Sequence, residues 1–170
     1  DFRPTRMQAM KNAVIQYLQC KWEADYSDEV GIVTFSGFSK IVSPLLPLEY
    51  CYEQLIGKVK LLQPESATNI VGGLNLAGEL INKKTTDSSI VNRIILLSDG
   101  GHTESGDPVK IAEKLKFKGI VIECVGIGAK NSADLHEESL RKIASIWNGT
   151  LLYRWIGAEF FSEFDLKLIV

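Results

Sequence analysis

Arg93-Ile94-Ile95-Leu96-Leu97-Ser98-Asp99-Gly100-Gly101 is the stretch that decides how this chain folds. Four large aliphatic residues in succession read as a strand buried on both faces, the mark of a parallel sheet covered by helices. The run ends in a small hydroxyl, a carboxylate and two glycines. Ligands of open α/β sheets bind in the crevice beyond the carboxyl ends of the strands, which is where this sequence puts Asp99. Asp-Gly is also a common turn dipeptide, so a purely turn-forming Asp99 stays open at this point.

The segments on either side repeat the pattern. Ile120 to Val125 is a second continuous apolar strand, ending at Gly126-Ile127-Gly128, and Thr150 to Trp155 is a third. Between them Asp107-Pro108 opens a helix, with a capping carboxylate followed by proline at the first helical position. That helix closes at Gly119. Leu135 to Trp147 carries Leu140, Ile143, Ala144 and Trp147 on one helical face, with Gly149 after it. Upstream, Met7, Met10, Ala13, Val14, Tyr17 and Leu18 recur at helical spacing within Asp1–Trp22. Val30 to Phe35 and the shorter Ser39 to Val42 flank the Ser36-Gly37 turn and read as a hairpin, its second strand at the sheet edge. Pro44 and Pro47 punctuate the exit, and Tyr50 to Leu61 is a helix ended by Pro64. A polar loop, Ser66-Ala67-Thr68-Asn69, leads into a helix striped by Ile70, Leu74, Ala77 and Ile81. Thr68 or Asn69 is its N-cap, and Gly72, Gly73 and Gly78 permit close packing. Ala158 to Val170 fits either a helix or a strand. Alternating strands and helices predict a three-layer, doubly wound α/β domain with a mostly parallel sheet and one antiparallel edge strand. Val91–Leu97 and Ile120–Val125 are its expected inner strands.

Composition sets the outer limits. The chain has 170 residues, the length of one domain, and a net charge of −2. That balance gives no basic footprint for nucleic acid or an anionic membrane. No apolar run approaches the roughly 20 residues of a membrane span. Cys20, Cys51 and Cys124 are odd in number and lack metal-type spacing, so they read as buried free thiols. They favour a reducing, cytoplasmic setting, with an extracellular one still open. Asn148-Gly149-Thr150 matches a glycosylation acceptor, and equally a helix-ending Asn-Gly.

Two loops converge on chemistry: Thr68-Asn69 and Ser98-Asp99-Gly100. A hydroxyl and a carboxylate are hard oxygen ligands, suited to Mg²⁺, Mn²⁺ or Ca²⁺. Gly126-Ile127-Gly128 lacks the third glycine of a dinucleotide fingerprint, and no acidic residue follows at the expected distance. Asp99 and His102, three residues apart in one loop, offer a second reading as a metal-dependent hydrolase.

Four segments, Gly31 to Ser36, Ala67-Thr68-Asn69 before a Gly-rich helix, Ile94 to Gly100, and Ile120 to Gly128, resemble a von Willebrand factor A domain across nearly the whole chain. The resemblance implies a Rossmann-like fold and a non-enzymatic module for adhesion or scaffolding. It further implies a metal-ion-dependent adhesion site (MIDAS), in which Thr68 and Asp99 match two of three ligand loops. Ser98, Gly100, Gly101, His102 and Asn69 border that site, and Gly37 and Phe38 form a further rim. The third loop, Asp-x-Ser-x-Ser after a first strand, has no match: Arg3 and Thr5 stand where its serines belong. Residues 1–170 are therefore expected to form one domain that omits that strand and loop. A gap is expected in the sheet, with Leu166–Val170 the only spare segment to fill it. The expected partner is a protein whose acidic side chain completes the coordination of the ion.

Overall fold

The computed structural model describes residues 6–64, 67–83, 90–98, 101–128, 136–147 and 151–155, the last group and Arg6 by backbone alone. The order is α1 (Arg6–Ala24), β1 (Glu29–Phe35), β2 (Ser39–Pro47), α2 (Leu48–Leu61), α3 (Ile70–Asn82), β3 (Arg93–Ser98), α4 (Pro108–Phe117), β4 (Val121–Gly128), α5 (Glu137–Ser145) and β5 (Leu151–Trp155). Leu166–Val170 and the Asn148-Gly149-Thr150 sequon lie outside the described residues.

The apolar runs make the parallel part of the sheet. β4 lies between β3 and β5 and is parallel to both, with Leu96 opposite Cys124 and Val125 opposite Leu152. β1 and β2 are antiparallel, so the hairpin forms as its sequence predicts. Alternation along the strands sorts side chains to two faces. On one face, Ile94 and Leu96 of β3 pack with Ile70, Leu74, Leu115, Leu140 and Ile143 of α3, α4 and α5, against which Val33 and Phe35 of β1 also rest. On the other, Val30 packs with Tyr17, Leu18, Leu48 and Leu55 of α1 and α2, joined by Ile32 and Ile95. Helices on both sides of the strands give the three layers. Each fully buried Leu or Ile contributes about 1.5–3 kcal/mol.

Three expectations change. Val91 is 68% exposed and precedes the strand, which begins at Arg93. β2 runs past Val42 to Pro47. Pro44 is accommodated because, among the described residues, β2 pairs on one side only and its register with β1 slips between Val30 and Ile32, a place where a proline costs no ladder bond. Cys20 is only half-buried, whereas Cys51 and Cys124 are buried free thiols.

Among the described residues, β3 pairs with β4 alone and β1 with β2 alone, leaving two sheets side by side. A cavity of about 570 Å³ separates them, lined by Ile32 and Thr34 of β1, Ile95 and Leu97 of β3, and Met10 and Val14 of α1. The apolar stripe of α1 was expected in the core. Tyr17 and Leu18 are there, but Met7, Met10, Ala13 and Val14 face this slot and are only partly buried.

Candidate metal centre

Ser36, Ala67, Thr68 and Ser98 all line the slot, three of them with hydroxyls. Ser36 directly follows β1 and Ser98 ends β3, so this mouth of the slot lies at the carboxyl ends of the strands. Ser98 is buried at 3% exposure and faces Gly126 across the β3–β4 ladder.

Asn69, not Thr68, caps α3. Its Oδ1 accepts from the Gly72 N–H at 2.8 Å, and its carbonyl accepts from Gly73 at 3.0 Å. An amide side chain that reaches the third residue along satisfies an otherwise orphaned helical N–H. Capping therefore does not occupy the Thr68 side chain. The same helix end is pinned to the hairpin, because the Asn69 N–H donates to the Phe35 carbonyl at 3.0 Å. α3 can come this close because it carries glycine: a Cβ on Gly73 would stand 2.6 Å from Phe35 Cβ, and one on Gly72 would stand 2.6 Å from Ser39 Oγ. Gly37 lies near the Ala67 methyl as well, which brings the predicted Gly37–Phe38 rim beside the Thr68 loop. Phe38 is 88% exposed.

The Thr68 loop is tied to the loop that follows β3. The Thr68 N–H donates to Thr103 Oγ1 at 3.0 Å, and the Thr103 N–H returns to the Thr68 carbonyl at 3.0 Å. His102 Nδ1 lies 3.3 Å from the same carbonyl. A carbonyl only accepts, so Nδ1 carries the proton in this contact. His102 Nε2 is buried and meets no hydrogen-bond partner among the described residues. Asp99 and Gly100 lie outside the described residues. Of their placed neighbours, His102 and Thr103 reach Thr68, and Ser98 lines the same slot as Thr68. The structure adds two residues that were not among the candidate ligands. Ser36 is the end of the Gly31 to Ser36 segment and the start of a turn. Thr103 owes its role to a partner 35 positions away, which no local pattern reveals.

Residues 66–69 and 98–103 contain no Lys or Arg, while Asp99 lies within them and Glu104 follows. Among the described residues, no cluster of three His, Cys, Asp or Glu side chains could hold a metal. The donors that remain, the Thr68 hydroxyl and the Asp99 carboxylate, fit an ion that keeps several waters, as Mg²⁺ does, and do not fit a closed cage.

A family model for the von Willebrand factor type A domain matches residues 2–154. The 26S proteasome non-ATPase regulatory subunit 4 of Caenorhabditis elegans is 29% identical over 140 residues, covering 81% of this chain and 39% of that protein. The chain thus spans about two fifths of that relative's length. Among solved structures, the SpRpn10 VWA domain superposes with a TM-score of 0.72 at 16% identity, covering 93% of this chain and 81% of that one. Proximal thread matrix protein 1 from the mussel byssus, solved with a zinc-occupied MIDAS motif, gives a TM-score of 0.67 at 20% identity, covering 88% of this chain and 39% of that one. At these identities the structural likeness establishes the fold.

Proposed function

The chain belongs to the von Willebrand factor type A domain family, and from that premise we propose that it is a non-enzymatic protein-binding module with a divalent ion at Thr68 and Asp99. The observation that carries this reading is the reciprocal pair of hydrogen bonds between Thr68 and Thr103, one to the Thr103 hydroxyl and one between main chains. They hold the two candidate ligand loops against each other while leaving capping to Asn69. Thr68 would ligate through its hydroxyl, and Asp99 directly or through a water. Mg²⁺ or Mn²⁺ is the proposed ion, with Ca²⁺ next, because the donors are hard oxygens. One carboxylate leaves such an ion short of both neutrality and its six oxygens. A Glu or Asp from a partner protein supplies both, in a partly desolvated crevice where the attraction exceeds its value in bulk water. Ser98, Gly100, Gly101, His102 and Asn69 would border that contact.

The relative named as a proteasome regulatory subunit supports a place within a larger protein assembly. The free cysteines go with a reducing, cytoplasmic setting. The hydrolase reading asks His102 to present a ring nitrogen to a substrate. With Nδ1 on the Thr68 carbonyl and Nε2 buried, neither nitrogen is available for that.

Calorimetric titration with MgCl₂ and MnCl₂ tests the site. Saturable binding is expected, lost in Asp99→Ala and weakened at least tenfold in Thr68→Val. With Mn²⁺ saturating, a peptide carrying one Glu should bind more tightly than its Gln counterpart. Failure of both ions to bind refutes the reading. So does Mn²⁺-dependent turnover of phosphate or acyl esters that Asp99→Ala abolishes.

A further inference from the structure

The opposite end of β1 carries a second surface that the metal-site reading does not use. It is built from the last turn of α1, the turn after it, and the start of α2. Trp22, 36% exposed, stacks between two tyrosines, with ring centroids 4.9 Å from Tyr52 and 5.9 Å from Tyr26. Tyr26 is 55% exposed and Tyr50 74%. The rings sit on a fixed backbone. The Leu48 N–H donates to the Asp28 carbonyl and the Glu49 N–H to the Tyr26 carbonyl, each at 2.9 Å, joining the start of α2 to the turn. Asp25 closes that turn by accepting from the Ser27 N–H at 2.9 Å and from its hydroxyl at 2.6 Å.

The exposed charges on these three segments are the carboxylates of Glu23, Asp25, Glu49 and Glu53. Lys21, in the last turn of α1, is paired with Asp28. Tyr52 is held above the usual phenol range first by burial and then by Glu53 and Glu23, so both carboxylates act on its ring. Clustered exposed aromatics with a polar rim mark interaction surfaces, and Trp and Tyr dominate binding energy at such places. An aromatic face attracts a Lys or Arg cation, the more so when carboxylates surround it.

We propose that the Trp22–Tyr26–Tyr52 surface docks a basic segment of a partner protein. A Lys or Arg side chain lies over the exposed rings, and neighbouring basic residues pair with Glu23 and Glu53. This surface calls for the opposite charge from the metal site. β1 spans seven residues between the two, about 20 Å of strand, so the two contacts share no residue.

The test is a titration followed by the indole N–H signals of the whole chain, whose three tryptophans, Trp22, Trp147 and Trp155, report separately. The probe is a twelve-residue peptide alternating Arg and Gly, with a Glu-for-Arg version as control. The Trp22 signal should shift and saturate with the Arg peptide alone, and the affinity should fall as salt is raised. Glu23→Gln with Glu53→Gln should weaken binding at least tenfold, and Trp22→Leu should abolish it. Because the two Glu side chains are solvent-exposed, the Gln pair leaves the fold intact and stands if Trp22→Leu is unstable. The proposal is overturned if Trp22 does not shift, if the Glu peptide or free arginine amide shifts it equally, or if the Gln pair binds as the parent does. Loss of metal binding in Asp99→Ala should leave this titration unchanged.

Discussion

Replacing Gly73 with Ala should destabilise the protein and disturb the candidate site, although alanine is the better helix former. The added Cβ would lie 2.6 Å from Phe35 Cβ, 2.9 Å from Cγ and 3.1 Å from Cδ1. Carbon atoms rest at about 3.5–4.0 Å, so α3 and β1 must part by about 1 Å. Phe35 Cβ is fixed to the main chain, and no rotation of its side chain relieves the clash. Overpacking of this kind costs about 1–3 kcal/mol, against roughly 1 kcal/mol gained in helix propensity. The net expectation is a loss of up to about 2 kcal/mol, or up to about 8 °C in melting temperature for a domain of this size. Gly57 supplies the control, being exposed in α2 with nothing within 4 Å of its would-be Cβ. Gly57→Ala should stabilise by about 0.4–1 kcal/mol. Urea unfolding of both variants beside the parent reads the difference. Should Gly73→Ala gain as much urea resistance as Gly57→Ala, the close packing of α3 on the hairpin is wrong. The bond from Asn69 to Phe35 crosses the same contact, so metal affinity should drop along with stability.

Asn69→Ala removes the α3 cap and should cost about 1 kcal/mol, while Thr68→Val should leave the urea midpoint nearly unchanged and act on metal binding; equal stability losses would refute the division of labour between them. Glu123 accepts from Arg93 at 2.6 Å, yet burial outweighs that cation and holds its carboxyl above the usual range. A raised folded-state pKa contributes stability present below the unfolded value and lost as pH rises through the folded one. The stability difference between the parent and Glu123→Gln should therefore shift in favour of the Gln variant as pH climbs from about 4.5 towards 7, and a constant difference across that range counts against the assignment. Burial pushes the Cys124 thiol up to about 12 and raises Cys51 as well, so a thiol reagent applied to the native protein should label Cys20 well before either. Equal labelling rates for all three would contradict the placement of β4 in the core.

Elements whose burial is uniform could be read directly from the chain. Ile94 to Leu97 is a continuous apolar run and Ile120 to Val125 is one broken only by Glu123, the composition of strands between two layers of helices. Asp107-Pro108 and Gly119 mark the ends of α4 through local geometry alone: the Asp107 carboxylate accepts from Val109 N–H at 2.9 Å, and Gly119 takes φ +75°. The candidate site is likewise a local reading, resting on a hydroxyl before a helix and a carboxylate after a strand, both hard oxygen donors. What tertiary structure decided is who stands beside whom. Thr68 and Asn69 are equivalent N-cap candidates in one dimension, and only the reach of Oδ1 to Gly72 separates them. Thr103 gains its role from Thr68, far away in sequence. The α1 stripe reads as core by periodicity, but periodicity gives the direction a face points and not what it meets. Only the placement of β1 and β3 shows that this stripe borders a slot between two sheets. Burial by a neighbour and a hydrogen bond across thirty-five residues are properties of packing, and no single segment of the sequence contains them.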